Sequence, residues 1–270
     1  MKTKLLNTAV ALALAALAGS AWAQAQPPLR ISFTADIRST EPGVNRDSNS
    51  DAVVLHIVEG LVAYGEDAEV RPLLAESIDI SPDGKTYTFK LRQGVKFHNG
   101  APLTSADVLW TWQHYTAANS GWRCSSEFDG RGTVKVTGVE APDAQTVVYH
   151  LEKPSSLFLA SLARADCGGT GILQKASVKA DGTWDKPIGT GPFEFAEWKR
   201  GEYIRLTKFA DYANRGGKLD GYTGSKRPLV DEVRFMIVPD DSTAKAALQR
   251  GNIDICLLYT SPSPRDQRGS

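Results

Sequence analysis

Alternation of apolar and polar side chains over residues 86–91 is the clearest pattern in the chain and predicts a β-strand. Tyr87 and Phe89 fall on one face of that strand, which we expect to be buried, while the threonines and the lysine between them face solvent. The preceding residues 81–84, Ser-Pro-Asp-Gly, supply the proline and the glycine of a tight turn. Because the apolar-polar-apolar run 78–80 comes just before that turn, the segment predicts a β-hairpin.

Capping residues and helical spacing predict helices on both sides of this hairpin. Thr104 stands at the N-cap and Asp107 at the third position of a helix that continues to Tyr115. Before the hairpin, apolar residues with helical spacing predict a helix from about 51 to 62. After it, two serines at 155 and 156 cap a short apolar helix that ends at residue 162.

Shorter runs of β-branched and aromatic residues predict six further strands. They cover residues 30–34, 133–139, 145–151, 193–195, 203–206 and 233–238. The last strand leads into a helix that starts near Asp240 and ends at Gly251, and we expect Ala244, Ala247 and Leu248 of this helix to face inward. Strands and helices thus alternate irregularly, which predicts an α+β (mixed α/β) fold.

Two glycine-rich segments, residues 168–171 and 189–192, have a composition similar to that of phosphate-binding loops. Neither is followed by the Lys-Ser/Thr pair of a P-loop, and Pro192 lacks the backbone N–H that such a loop uses. We therefore interpret both as backbone bends.

The turn and cap positions occur in an order that resembles the family 5 extracellular solute-binding proteins, the peptide, nickel and opine receptors of bacterial ABC importers. The matching segments are Glu59-Gly60-Leu61 and residues 72–76, 83–92, 94–100, 106–108, 187–193, 230–233, 239–240 and 247–255. The resemblance extends from about Leu29 to Ile255. It implies a fold similar to the type II periplasmic binding proteins, with the N-terminal lobe and its inserted subdomain present and the second lobe missing.

The resemblance also implies how the chain is divided. Residues 24–48 and 181–255 would form the main part of a discontinuous N-terminal lobe, and residues 49–180 the inserted subdomain. Before them, Lys2 and Lys4, an apolar run and Ala21-Trp22-Ala23 have the layout of a signal peptide over residues 1–23. No other segment approaches the roughly 20 apolar residues of a membrane span. We therefore expect a periplasmic protein that does not span the membrane.

Residues 256–270 do not fit this division. Their sequence resembles one reading frame of a sequencing adapter, which predicts a non-native tail. The alternative is a native tail rich in serine and proline.

Composition argues against several functions. Residues 24–255 contain 27 basic and 30 acidic residues, a formal charge of −3, so nucleic acid is not an expected partner. His56, His98, His114 and His150 show no metal-ligand spacing, and the chain has no Gly-x-Ser-x-Gly segment. We therefore expect no enzyme activity, no metal and no cofactor.

Cys124 and Cys167 are the two cysteines outside the predicted tail. Export to an oxidising compartment favours a disulfide between them. Two buried free thiols are the alternative.

Candidate ligand contacts come from two sources. Trp122 and Arg123 lie in a glycine-flanked loop, where an aromatic ring beside a guanidinium suits a cleft wall that binds an anionic or amide ligand. Trp122 is equally suited to plug its loop onto its own lobe. In peptide-binding members of the family the first loop lines the cleft, so the resemblance points to Ser39-Thr40-Glu41. Arg164 is a further candidate for an anionic group.

The resemblance implies a function without covalent chemistry. The protein would act as the solute-binding component of an ABC transporter, capture a small solute such as a peptide by lobe closure, and deliver it to an inner-membrane permease. We expect it to work as a monomer. The first alternative is a periplasmic receptor for chemotaxis or signalling, and a weaker one is a secreted hydrolase.

Overall fold

The computed structural model describes residues 26–44 and 47–257 of the chain, so the predicted signal peptide and residues 258–270 of the predicted tail lie outside the described residues. Its strands are β1 (Leu29–Phe33), β2 (Val62–Tyr64), β3 (Val70–Pro72), β4 (Ala75–Ile80), β5 (Thr86–Leu91), β6 (Val136–Asp143), β7 (Thr146–Leu151), β8 (Phe193–Lys199), β9 (Tyr203–Lys208), β10 (Glu232–Ile237) and β11 (Ile255–Cys256). Its α-helices are α1 (Ser48–Val54), α2 (Ser105–Thr116), α3 (Phe158–Leu162) and α4 (Asp241–Gln249).

The first and last parts of the chain share a five-stranded sheet with the order β11-β1-β10-β9-β8. Strand β1 pairs in parallel with β10 and β11, whereas β9 runs antiparallel to both β10 and β8. Strands β1, β8, β10 and β11 therefore point the same way. Their carboxyl ends lie on one side of the sheet, which we call the carboxyl edge.

One face of this sheet is apolar. The rings of Phe33 and Phe235 stack with their centroids 4.9 Å apart. His56, just after α1, makes edge contacts with Phe193 and Phe235 at 6.1 and 5.6 Å. The alternating residues of β9 and β10 supply the remaining buried side chains, including Ile204. Apolar burial on this face fixes the register of the sheet.

The middle of the chain forms a second sheet, which is antiparallel throughout with the order β4-β5-β7-β6. Its buried face carries Tyr87 and Phe89 of β5 and Tyr149 of β7, and Trp112 of α2 packs on it. The predicted hairpin is confirmed, because β4 and β5 pair across the turn at residues 81–84. The predicted start of α2 is confirmed too: the Thr104 N–H and hydroxyl donate to Asp107 at 2.9 and 2.7 Å.

Two expectations from helical spacing were wrong. The helix predicted over 51–62 ends at Val54, and Val62 already belongs to β2. Gly60 comes so close to the Gly169 carbonyl oxygen that an added Cβ would lie 2.2 Å from it, so tertiary packing bends the chain here. In α4, Ala244 is buried as expected, but Leu248 is 42% exposed.

The chain returns from the second sheet to the first through residues 187–192, and this crossing is tightly packed. A Cβ on Gly189 would lie 2.2 Å from the Ile57 carbonyl oxygen, and one on Gly191 would lie 2.5 Å from that of His56. The two glycines are needed for this close approach, which agrees with our interpretation of the segment as a bend. Within the described ranges, no helix is long and apolar enough to cross a membrane.

Candidate functional site

The carboxyl edge of the five-stranded sheet is the expected position of a ligand site, because open α/β sheets bind ligands outside the carboxyl ends of their strands. Three segments reach this edge. They are the loop after β1, residues 34–44, which we call the first loop; the β8–β9 turn, residues 200–202; and residues 238–240 after β10. They are tied together: the Val238 N–H donates to the Phe33 carbonyl at 2.8 Å, and the Ile237 N–H donates to that of Glu202 at 2.9 Å.

The first loop is held by the N-terminus of α1. Asp47 caps this helix and accepts hydrogen bonds from the N–H groups of Asn49 and Ser50. The Arg38 N–H donates to Asp47 Oδ2 at 3.2 Å and to Ser50 Oγ at 2.9 Å. Ser39 Oγ in turn accepts from the Glu41 N–H at 2.9 Å. The backbone of the loop is thus fixed before any solute arrives.

The predicted contacts Thr40 and Glu41 are engaged with the protein itself. Thr40 is 5% exposed, and its hydroxyl accepts from Trp184 Nε1 at 3.0 Å. Glu41 Oε1 pairs with His114 Nε2 at 2.9 Å, and the His114 ring stacks on Trp110. The structure therefore brings Ser39-Thr40-Glu41 to the carboxyl edge, but it directs two of these three side chains into the lobe.

Trp122 lies in the aromatic core rather than on an open wall. Its side chain is 3% exposed and stacks between Tyr115 and Phe128 at 5.0 and 5.6 Å. Its Nε1 donates to the Cys167 carbonyl at 3.2 Å. This is the arrangement expected of a tryptophan that fastens its loop to its own lobe, because a ring so enclosed offers almost no surface to a ligand.

Arg123 connects the same loop to the first loop and to α1. Its backbone N–H donates to the Gly43 carbonyl at 3.1 Å, and its guanidinium pairs with Asp51 at 3.1 Å. Burial raises the pKa of the Asp51 carboxyl to about 6, and the charge of Arg123 opposes this rise. An open recess of about 610 Å³ lies beside the loop, lined in part by Arg123 and Ser125.

Cys124 and Cys167 form a disulfide with their Cα atoms 5.8 Å apart. The bridge lies directly under the first loop: Gly43 has a φ of +70°, and an added Cβ would lie 2.6 Å from the Cys167 carbonyl oxygen and 2.7 Å from the Trp122 ring. Arg164 comes just before this region and pairs with Glu127 at 3.0 Å and Asp166 at 2.8 Å. Its charge is thus already balanced by two carboxylates.

The structure adds three residues to the site that the sequence analysis did not select: Asp36, Trp198 and Arg200. Asp36 Oδ1 accepts from Trp198 Nε1 at 2.9 Å, and its Oδ2 accepts from the Gly201 N–H at 2.8 Å. The Arg200 guanidinium lies over the Trp198 ring, 4.1 Å from its centroid. The sequence signal was Trp198-Lys199-Arg200-Gly201, a turn beside an aromatic residue. Only the strand directions show that this turn lies on the carboxyl edge and can belong to the site.

The described residues include no cluster of three or more His, Cys, Asp or Glu side chains that could hold a metal ion. The histidines make protein contacts. His56 bonds to the Ala52 carbonyl at 2.7 Å, His98 to that of Gly191 at 3.1 Å, and His150 pairs with Glu140 at 3.5 Å.

The chain matches known proteins over most of its length. A family model described as bacterial extracellular solute-binding proteins, family 5 middle, matches residues 69–269. The chain is 34% identical over 244 residues to the dipeptide-binding protein of Escherichia coli K12, covering 83% of this chain and 42% of that protein. It is 28% identical over 261 residues to the glutathione-binding protein GsiB of Pectobacterium atrosepticum, covering 96% of this chain and 46% of that protein.

The fold has solved counterparts. One is the ABC transporter-associated periplasmic binding protein DppA of Helicobacter pylori in complex with the peptide STSA, with a TM-score of 0.72 and 30% identity. The match covers 90% of this chain and 48% of DppA. The chain thus spans about half the length of the relatives it matches, and its fold is that of a single lobe of a type II periplasmic binding protein.

Proposed function

Since this chain belongs to the bacterial extracellular solute-binding proteins of family 5, we propose that it is the solute-binding component of an ABC transporter. In this proposal the protein captures a small solute, a peptide or a similar molecule, and delivers it to an inner-membrane permease. Relatives named for a dipeptide and for glutathione support this solute class.

The observation that carries the proposal is the construction of the carboxyl edge. The first loop, the β8–β9 turn and residues 238–240 meet there and are hydrogen-bonded to one another before any ligand binds. A preorganised wall lowers the cost of binding. The edge offers backbone groups, an indole and guanidinium groups, which suit noncovalent recognition, and we propose that the protein is not an enzyme.

The mechanism we propose is hinge closure. Residues 24–48 and 181–255 would form the main part of the N-terminal lobe, residues 49–180 its inserted subdomain, and further sequence the second lobe. A solute that contacts both lobes stabilises the closed state, and the permease recognises that state. We propose that Ser39, Thr40 and Glu41 contribute to the wall through the backbone of the first loop. No cofactor is required.

Location and state of assembly follow from the same proposal. The signal peptide predicted over residues 1–23 would be cleaved and release a periplasmic monomer. The solved relative from Helicobacter pylori is described as periplasmic, which supports this location. The non-native origin of residues 256–270 stays a prediction, and Ile255–Cys256 forms the edge strand β11, which crosses the predicted boundary.

The test is a binding experiment with the protein that carries both lobes. The purified protein is unfolded in denaturant, dialysed and refolded to remove bound solute, and then titrated by calorimetry with dipeptides, tripeptides and glutathione. We expect one solute per chain and no change in the solute afterwards by mass spectrometry. Turnover of the solute, or binding of none of these or other small solutes, would contradict the proposal.

A further inference from the structure

We propose that Arg200, stacked on Trp198 and anchored through Asp36, is a contact for a carboxylate group of the solute. This inference rests on the proposed function and adds the chemical class of the ligand: a small molecule with a free carboxylate that approaches the carboxyl edge at the β8–β9 turn.

The strand register places this turn next to the first loop. Phe33 at the end of β1 pairs with Ile237 at the end of β10. One residue earlier, Met236 pairs with Tyr203, which itself pairs with Lys199 at the end of β8. The ends of three strands are thus level. Arg200 is the first residue beyond this row, on the side where open sheets of this kind bind their ligands.

The turn is rigid. Both oxygens of Asp36 are used, one by the Trp198 indole N–H and the other by the Gly201 N–H. Gly201 has a φ of +74°, a conformation that residues with a Cβ rarely adopt. The half-buried Trp198 ring is therefore fixed and supports the Arg200 guanidinium from below. A guanidinium that is already oriented loses less entropy when it binds an anion.

Charge supports the same conclusion. Neighbouring cations of this sheet are paired: Lys199 with Glu202 at 2.7 Å, and Arg205 with Glu197 at 3.4 Å. Among the described residues, no carboxylate lies within ion-pair distance of the exposed Arg200 side chain. Two acids of the segments at this edge are occupied, since Asp36 accepts from two N–H groups and Asp240 caps α4 through the Thr243 N–H at 2.7 Å.

These features select a carboxylate. The planar fork of a guanidinium matches the two oxygens of a carboxylate, and stacking on an indole leaves its N–H edge free to donate. A neutral carboxamide has one acceptor oxygen and no negative charge, so it can accept a hydrogen bond from the guanidinium but cannot form the bidentate ion pair. The same solute with its carboxylate converted to a carboxamide should therefore lose most of the contribution of Arg200.

The experiment uses the protein with both lobes and compares Arg200→Ala, Arg200→Lys and the control Arg227→Ala, which removes another exposed arginine. Each protein is titrated by calorimetry with free dipeptides, the matching dipeptide amides and glutathione. We expect Arg200→Ala to weaken binding of the free dipeptide about tenfold to hundredfold, as for loss of a hydrogen bond to a charged group. Arg200→Lys should lose less affinity for the free dipeptide, and Arg227→Ala should lose none.

Arg200→Ala should weaken binding of the dipeptide amide much less than binding of the free dipeptide, and its melting temperature should match the wild type because the side chain is exposed. The inference is overturned if Arg200→Ala binds the free dipeptide as tightly as Arg227→Ala does, or if free acid and amide lose affinity equally. A wild-type protein that binds only small solutes without a carboxylate would overturn the inference and leave the proposed function standing. A wild-type protein that binds no small solute would contradict the proposed function, and the inference with it.

Discussion

Glu59 shows how a single buried residue can join distant segments of this chain. Its side chain is 1% exposed and accepts hydrogen bonds from Thr190 at 3.1 Å and Tyr212 at 2.9 Å. Lys226 lies 2.5 Å away and balances the charge. These partners come from residues 187–192 and from the chain after β9, so the carboxylate connects segments that are far apart in sequence.

We predict that Lys226→Met destabilises the protein by about 3–5 kcal/mol, because it leaves a buried carboxylate without its counter-charge. The double variant Glu59→Gln with Lys226→Met should recover much of this loss. The matched control is Lys199→Met, which removes a lysine from the exposed pair with Glu202 and should cost far less. Urea unfolding measures all three. Equal losses for Lys226→Met and Lys199→Met would contradict the role assigned to Glu59.

His98 holds residues 187–192, which lead back to the five-stranded sheet, in place while its ring is neutral. Its Nδ1 accepts from the Gly189 N–H at 3.3 Å, so the proton is on Nε2, which donates to the Gly191 carbonyl at 3.1 Å. Burial lowers the pKa of His98 to about 4. The His98 ring therefore binds a second proton, on Nδ1, less readily in the folded protein than in the unfolded chain. The stabilisation of the fold by neutral His98 is complete above the unfolded pKa of about 6.5 and declines as the pH falls towards 4.

We predict that the free energy of unfolding of the wild type falls relative to that of His98→Gln by on the order of 3 kcal/mol between pH 7 and pH 4. Burial lowers the pKa of His56 as well and raises that of Asp51, and taking the difference between the two proteins removes both contributions. Urea unfolding at pH 7, 5.5 and 4 provides the measurement. A difference that does not change with pH would show that His98 does not titrate in this way.

At the scale of elements, the disulfide connects two irregular segments that have little secondary structure of their own. It joins the loop that contains Trp122 to the 3₁₀ segment Ala165–Thr170, where Gly168 and Gly169 have positive φ. The first loop packs on this junction through Gly43. The bridge therefore supports the wall of the candidate site.

We predict that replacing both Cys124 and Cys167 by alanine lowers the free energy of unfolding by about 4 kcal/mol, the loop-entropy estimate for a bridge of this span. Cys256→Ala is the control, since Cys256 is a free thiol. Mass spectrometry after alkylation in denaturant without reductant should show a single modified cysteine. Three modified cysteines would favour the alternative of two buried free thiols.

At the scale of the whole molecule, we propose that the carboxyl edge is one wall of a cleft and that the other wall lies outside these residues. A solute on this wall alone stays partly hydrated, and hydrogen bonds shared with water contribute less than those in an enclosed site. Strand β11 also lies at the outer edge of its sheet, with β1 as its partner.

We predict that the 270-residue chain binds its solute at least about tenfold more weakly than the protein with both lobes, a difference of roughly 1.4 kcal/mol. Calorimetry of both proteins with the same dipeptide measures this difference. Circular dichroism serves as the control that the shorter chain is folded. Equal affinities would contradict closure of two lobes around the solute.

The sequence alone determined the features that depend on neighbouring residues. The β4–β5 hairpin, the Thr104 cap and the burial of Tyr87 and Phe89 follow from turn chemistry, capping and alternation, each of which acts within a few residues. The family resemblance was also readable, because it consists of such local signals in a fixed order, and the family match bears it out.

Only the tertiary structure decided the features that depend on distant contacts. The first helix stops at Val54 and Gly60 packs closely against Gly169, and Trp122 is buried because Tyr115 and Phe128 enclose it. Arg200 became a candidate when the parallel strands brought its turn to the first loop. Helical spacing and side-chain type do not show which distant segments of the chain contact one another in the fold. Burial and close backbone approach depend on those contacts, so they could not be predicted from the sequence.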